Sequence, residues 1–588
     1  MSGNPPLDPA FEQVLAALRQ QLGAQLVHEL ALPREPARYA APVPPLAPEI
    51  ERALAAGGVD RLYEHQQRAL AASRARRDVL VTTATASGKS LVFQLPVLEE
   101  ALAGGSGRAL WIFPLKALGQ DQRAKLEELA AAAGLNDGRC RVAIYDGDTP
   151  DEARAAIRRA PPRVLITNPD MLHLGILANP GAWSPFLADL SWIVLDELHA
   201  YRGIFGCHLH HVLARLLRLA RPLGARPAIV AASATAAEAD VFAAAIAGRP
   251  FEWVRESGAP REARSFLLVR PLASPYTAAL DVLEALLERG QKTIVFTKAR
   301  RITELLFTWL ERRSPELARR VRCYRAGFLP SERRRIESDL SSGRLDGVIS
   351  TSALELGIDI GGLDACVLVG WPGSVMATWQ RSGRVGRRGR RSLTVLVALP
   401  DALDQYLLDH PRELLDRPCE RLVVDPANEV VARAHLVCAA AERALALDED
   451  APWLERHAAL VGDLLREGGL VRSDDGRRIV SLVRRPHREV SLRGTGASAA
   501  IVDGESGSTI GTIDGARALA ECHPGAIYLH AGRQYAVTGL DIARREVRVS
   551  AADVDYFTSP LSEKETEILE VFAERASGTL AAGFGRLK

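Results

Sequence analysis

The sequence contains no long apolar run. None of its hydrophobic stretches reaches the roughly 18 residues that a membrane-spanning helix needs, so no contact with a membrane is predicted. Its first residues, MSGNPPLDPAFEQVLAAL, have no basic head before an apolar stretch, which argues against a secretory leader and for a cytoplasmic chain. Clustered cysteine is also missing. Cys140, Cys207, Cys323, Cys366, Cys419, Cys438 and Cys522 are scattered, and no two are spaced CxxC. That pattern argues against a disulfide framework and a zinc cluster, so no zinc is expected in this chain. Lysine is scarce, at seven of 74 basic residues. A lysine inside a motif is therefore informative, and Lys89, Lys116 and Lys298 all fall in motifs. Net charge is only +2, which by itself does not point to nucleic acid.

What is present needs several cores, because 588 residues exceed what one core holds. Residues 1–57 read as a short helix near 11–30 and a Pro-rich connector. From about residue 58, short apolar runs alternate with amphipathic stretches. DVLVTTA (78–84), RALWIFP (108–114), RVAIYD (141–146), RVLITN (163–168), LSWIVLDE (190–197) and PAIVAASA (227–234) are strand candidates. A second series runs from KTIVFT (292–297) to LTVLVAL (393–399). Such alternation predicts an α/β fold with two tandem parallel-sheet domains, 58–263 and 264–425. Helices and a short hairpin over 426–487 suggest a winged helix. Short strands with Gly and Asp turns over 488–560 suggest a small β-barrel. Residues 561–588, with EKETEILEVFAERASG, read as a C-terminal helix and tail.

Three segments carry chemistry. TTATASGKS (82–90) follows a strand and opens a helix, where backbone N–H groups bind phosphate. Thr85, Ala86, Ser87 and Gly88 would line that cradle, Lys89 would reach the β/γ-phosphates and Ser90 would hold Mg²⁺. Thr83 and Ala86 stand where glycine is common. In LDELHAYRG (195–203), Asp196 ends a hydrophobic strand and would hold Mg²⁺, while Glu197 would activate water. In QRSGRVGRRGR (380–390), Gln380, Arg384 and Arg387 belong to one pattern. The two arginines, three apart, are expected on one helix face and toward a γ-phosphate. A plain basic surface helix is the bland alternative.

With those residues in place, the chain resembles the superfamily 2 helicases, whose core is a pair of RecA-like domains. Tyr63, His65 and Gln66 in LYEHQ resemble the adenine-reading element. FPLKALGQDQ (113–122), TNPDML (167–172), Ser233-Ala234-Thr235, IVFTKARR (294–301) and STSALELGIDIGG (350–362) follow in the family's order. The resemblance places Gly357 and Asp359 at the nucleotide. A P-loop kinase or transporter ATPase leaves the later motifs unexplained. The strings VLDELHAYRGIFG, CYRAGFLPSERRRIE, ALELGIDIGGLDA, DALDQYLLDHP, GAIYLHAGRQY and DVDYFT narrow the resemblance to the bacterial MrfA/YprA group and its fungal RecQ-like relatives. That resemblance implies an ATP-dependent 3′-to-5′ DNA helicase acting in repair on single-stranded and forked DNA, monomeric and nucleoid-associated. RNA is the less favoured substrate. An RNA helicase, or an ATP-gated clamp that never unwinds, remains an alternative.

The resemblance also implies where a strand would lie. Lys116, Thr167 and Asn168 in the first domain, with Thr297, Lys298 and Thr351 in the second, would meet phosphates, which carry no sequence information. Ser233 and Thr235 would relay cleft closure. Tyr201, Arg202 and Phe205 form an aromatic loop that could stack on bases, though core packing is an equal reading for Phe205. Trp371 and Trp379 divide in the same way. His208, His210 and His211 lack partners at metal-site spacing. Relatives continue into a cysteine-rich zinc domain, so Lys588 is not expected to be the natural end.

Overall fold

The structure, a computed structural model, describes residues 9–357, 361–386, 390–493, 498–558, 560 and 565–588. It divides into two units, 1–494 and 495–588.

The first unit holds both parallel sheets. In the first sheet the strand order is Val142–Ile144, Val164–Thr167, Arg108–Ile112, Leu190–Leu195, Ala228–Ser233, Val79–Thr82, Glu252–Val254. All its pairings are parallel. Its central strands are apolar on both faces because helices cover both. All six predicted strands lie in it. The second sheet runs Leu26–Leu32, Arg264–Val269, Ser392–Val397, Ala365–Val369, Thr293–Phe296, Gly347–Ser350, Val321–Tyr324.

The first strand of that second sheet corrects the sequence reading. The helix expected over 11–30 spans Pro9–Leu22 and stops where Gly23 takes φ +50. Leu26–Leu32 is a strand, antiparallel to Arg264–Val269. Residues 9–57 are therefore not a separate appendage. Phe11, Val14, Leu15 and Leu18 are buried, with Arg391 over the Phe11 ring at 4.8 Å. The chain then crosses to the first domain through the Glu35–Arg261 and Tyr39–Tyr63 bridges, and the helix Pro48–Ala56 packs on Lys116–Ala132.

The winged helix comprises Glu429–Glu442, Ala451–Arg456, Ala458–Arg466 and the hairpin Leu470–Arg472/Arg478–Ser481. It sits on the first domain's helix Gly203–Ala220 through a buried Arg215–Glu442 ion pair and an Arg218–Asp450 pair at 2.9 Å. Arg215 Nη1 donates to His435 Nδ1 at 2.8 Å and to His173 Nδ1 at 3.0 Å. Both imidazoles are thus neutral acceptors at Nδ1. His208, His210 and His211 are buried in or beside this network. No group with metal-site geometry occurs among the described residues, and no described helix is long and apolar enough to cross a membrane.

Residues 488–493, expected in the barrel, are not a strand. Val490 and Leu492 pack against the first domain, so their apolar alternation serves a docked linker. In the second unit the expected barrel takes the form of a five-stranded sheet with the helix Gly515–Glu521. The predicted C-terminal helix is instead a hairpin, Ile568–Ser577 with Leu580–Leu587. Gly578 at φ +59 makes the two-residue turn that helix-forming Glu and Ala residues conceal.

Candidate nucleotide site and nucleic-acid face

Strand Val79–Thr82 feeds the phosphate loop into the helix Ser90–Leu102. Ala86 at φ +62 and Gly88 at φ +77 bend the loop. Thr83 needs no positive φ, and its hydroxyl lies 2.6 Å from Ser87 Oγ, which explains why glycine is dispensable there. Lys89 Nζ donates to the Thr83 and Ala84 carbonyls at 2.7 and 2.9 Å. The Gln66 amide donates to Gly88 O at 3.0 Å, and its oxygen accepts from Tyr63 N at 2.9 Å. A Cβ on Gly88 would stand 2.5 Å from that amide. His65 Nδ1 accepts from Gly258 N, so Nε2 carries the proton and donates to Ser87 O at 3.0 Å. Burial lowers this imidazole to about 4. The Tyr63 ring stacks on Tyr39 at 5.3 Å and, nearly parallel, on His65 at 5.9 Å.

Strand Leu190–Leu195 delivers the acid pair. Burial, then the neighbouring Glu197, pushes the Asp196 carboxyl up to about 7. Burial also opposes the Glu197 charge, but His199, Lys89, Arg384 and the Gly357 N–H together hold it below its usual value. Glu197 takes φ +50, and its Oε1 accepts from Gly357 N at 3.3 Å. A cavity of about 320 Å³ lies between the phosphate loop, this pair, and Gly357 and Gly361 of the second domain. Both domains therefore line it, as ligand sites between domains usually require.

Further contacts cross the same cleft. Thr85 Oγ1 donates to Gly383 O at 3.4 Å, and a Cβ on Gly383 would come within 2.2 Å of that hydroxyl. His199 Nδ1 accepts from Ala234 N at 3.1 Å and Ser233 Oγ at 3.4 Å. Its Nε2 lies 2.6 Å from the Gln380 side-chain amide. Because Nδ1 accepts, Nε2 carries the proton, and the pairing needs the amide oxygen of Gln380 there. His199 is the site residue that sequence reasoning missed, although it stands in the DELH string.

Arg384 is buried, donates to Glu355 O at 2.5 Å and contributes to the field on Glu197. It is not on a helix face, because the helix Val375–Ser382 ends two residues earlier and Val385 bridges to Leu363. Arg387 and Asp359 lie outside the described residues.

The expected nucleic-acid residues separate into four groups. Lys116 is 2.6 Å from Asp148, and Lys298 lies 3.3 and 3.4 Å from Asp401 and Asp404, with each lysine partly exposed. Arg202 is exposed, while Thr351 and Phe205 are half-buried. The hydroxyls of Thr167 and Thr297 are buried and donate to Tyr145 O at 2.7 Å and Ala299 O at 3.1 Å, while Asn168 caps Met171 N at 2.9 Å. Tyr201 corrects the expectation: it is wholly buried in the core, its hydroxyl 3.4 Å from Ile112 O, and cannot stack on a base. Thr235 is exposed, so Ser233 and the Ala234 N–H, not Thr235, meet His199. Trp379 packs edge-on against Phe266, and Trp371 is half-buried.

Comparison with known proteins matches this geometry to three family models. Residues 63–242 match the DEAD/DEAH box helicase model, 278–389 the helicase conserved C-terminal domain, and 424–495 the winged helix domain of ATP-dependent helicase HRQ1. The ATP-dependent helicase YprA of Bacillus subtilis is 35% identical over 555 residues, covering 91% of this chain and 73% of that one. The ATP-dependent helicase HRQ1 of Saccharomyces cerevisiae is 32% identical, covering 96% of this chain and 54% of that one. This chain thus spans about half the length of its fungal relative. The crystal structure of the DUF1998 helicase MrfA bound to DNA superposes with a TM-score of 0.89 at 33% identity, over 98% of this chain and 78% of that one. This chain belongs to the superfamily 2 DEAD/DEAH box helicases, as an ATP-dependent helicase of the group that holds YprA, HRQ1 and MrfA.

Proposed function

We propose that this chain moves 3′-to-5′ on single-stranded DNA, unwinds forked duplexes as a monomer, and serves DNA repair. One observation carries the motor reading: the acid pair of the first domain faces Gly357 and Arg384 of the second, while His199 joins Gln380 across the same cleft. Hydrolysis assembled from two bodies is competent only when they close, and opening and closing can be converted to steps. The DNA reading is supported by MrfA, solved bound to DNA.

In this reading Lys89 leaves its loop carbonyls for the β/γ-phosphates of ATP. Glu197, held ionised by the cations around it, accepts the proton of the attacking water. Arg384 faces the charge that develops on the transferred phosphoryl. The residues fit Mg²⁺: Ser90 and Asp196 both line the cavity, and two adjacent buried carboxylates favour a cation. When bound, Mg²⁺ neutralises phosphate oxygens. Lys116, Lys298, Asn168, Thr351, Arg202 and Phe205 would meet the strand.

The test measures ATP turnover with single-stranded DNA, duplex DNA and RNA side by side, with unwinding of 3′- and 5′-tailed duplexes. The reading requires stimulation by single-stranded DNA and unwinding only from a 3′ tail. Stimulation by RNA alone would make this an RNA helicase. Stimulated turnover without unwinding would leave an ATP-gated clamp.

A further inference from the structure

The linker that leaves the winged helix is fastened along the first domain before it reaches Arg493. His173 Nε2 donates to His487 O at 3.0 Å, His487 Nε2 lies 2.9 Å from Glu442, and Leu492 is buried. Arg493 is therefore delivered to a fixed place, and three contacts hold its side chain there. Its Nε donates to Asp170 Oδ2 at 3.0 Å, and its Nη2 donates to Pro114 O at 2.9 Å. Its guanidinium carbon lies 4.8 Å from the centre of the Phe205 ring.

The three partners come from three separate segments. Pro114 lies two residues before Lys116, which opens the helix Lys116–Ala132; Asp170 lies two after Asn168, in the helical turn Pro169–Met171; and Phe205 lies in the first turn of the helix Gly203–Ala220, which follows the acid pair's loop. Each segment carries residues assigned above to the strand. An exposed ion pair alone contributes little. Here, however, a planar group uses one edge for a carboxylate, an N–H for a carbonyl and a face for a ring, which lysine cannot reproduce. The side chain is 40% exposed, so the fastening stands at the surface and not in the core.

We propose that Arg493 is a positioning residue for nucleic acid, fastening the three strand-facing segments in one arrangement and holding the Phe205 ring in place. This inference rests on the motor reading above. Only seven residues separate Phe205 from Glu197, with His199 among them, so an ordered Phe205 also reports strand binding to the hydrolytic pair.

The experiment titrates a single-stranded DNA oligonucleotide into ATP turnover assays of the full chain, Arg493→Ala and Arg493→Lys, and records each melting temperature. Arg493→Ala should raise the half-saturating oligonucleotide concentration about tenfold, comparable to losing one stacked base. Turnover without oligonucleotide, KM for ATP and melting temperature should stay as in the parent. Arg493→Lys, which keeps the charge opposite Asp170 but not the planar face, should fall between the two. An unchanged half-saturation in Arg493→Ala overturns the inference, and so does a parallel loss of melting temperature and unstimulated turnover, which would mark a packing role. A parent chain whose turnover ignores both DNA and RNA removes the motor reading itself, and this inference with it.

Discussion

His199 of the first domain and Gln380 of the second meet side chain to side chain at 2.6 Å, while the other imidazole nitrogen of His199 accepts from Ala234 N. One neutral ring thus joins the acid pair's loop, the Ser233–Ala234 turn and the arginine segment. Gln380→Ala should leave KM for ATP within about threefold while lowering nucleic-acid-stimulated kcat about tenfold or more. Stimulated turnover equal to the parent's would show that the contact is not part of the coupling.

Two substitutions should stop turnover for different reasons. Lys89→Ala removes the cation at the phosphate loop and should lose nucleotide affinity. Glu197→Gln keeps the loop intact and should bind ATP yet fail to hydrolyse it. Nucleotide binding measured beside turnover separates them, and normal turnover in Glu197→Gln would remove the role assigned to that carboxylate.

The Arg215–Glu442 pair is wholly buried, with His487 on the same carboxylate. Glu442→Leu strands a buried guanidinium and should cost about 3–5 kcal/mol, whereas adding Arg215→Met should recover most of the loss. Calorimetric Tm values of the full chain decide this. A double variant no more stable than the single one would mean that the surrounding histidines depend on Arg215 as a donor.

Acid should loosen the same region. Burial lowers His173 to about 2 and His211 to about 3, and drives His435 well below its usual value. The folded values lie below the unfolded value near 6.5, so between them the unfolded chain binds more protons. Stability is fully present above pH 6.5 and is lost as pH falls below it, by about 1.4 kcal/mol per such histidine at one unit below. A melting temperature that is flat from pH 7 to 5 would contradict these burial states.

Much of this was legible because the chemistry is local in sequence. GKS and DELH each follow an apolar strand and the arginine segment precedes one, and the parallel sheets reproduce those strands wherever both faces are covered. The misreadings share a different cause. Leu26–Leu32 and Ile568–Ser577 hold residues that also form helices, and only the partners at Arg264–Val269 and Leu580–Leu587 make them strands. Tyr201 beside Arg202 looks like a stacking loop, but the burial of one and the exposure of the other are set by the fold. His199 was in plain view, and its role emerged only when Gln380, 181 residues away, was placed against it.

The antiparallel edge strand has a further consequence during synthesis. Leu26–Leu32 leaves the ribosome about 230 residues before its partner Arg264–Val269. At roughly 5–20 residues per second, that strand waits on the order of 10–50 s without a neighbour. The first domain's sheet lies entirely within the interval and can close first. A strand made before the whole first sheet is therefore placed after it. A newborn chain in that interval presents an unpaired edge that a chaperone, or the same strand on an adjacent nascent chain, can reach before its own sheet does.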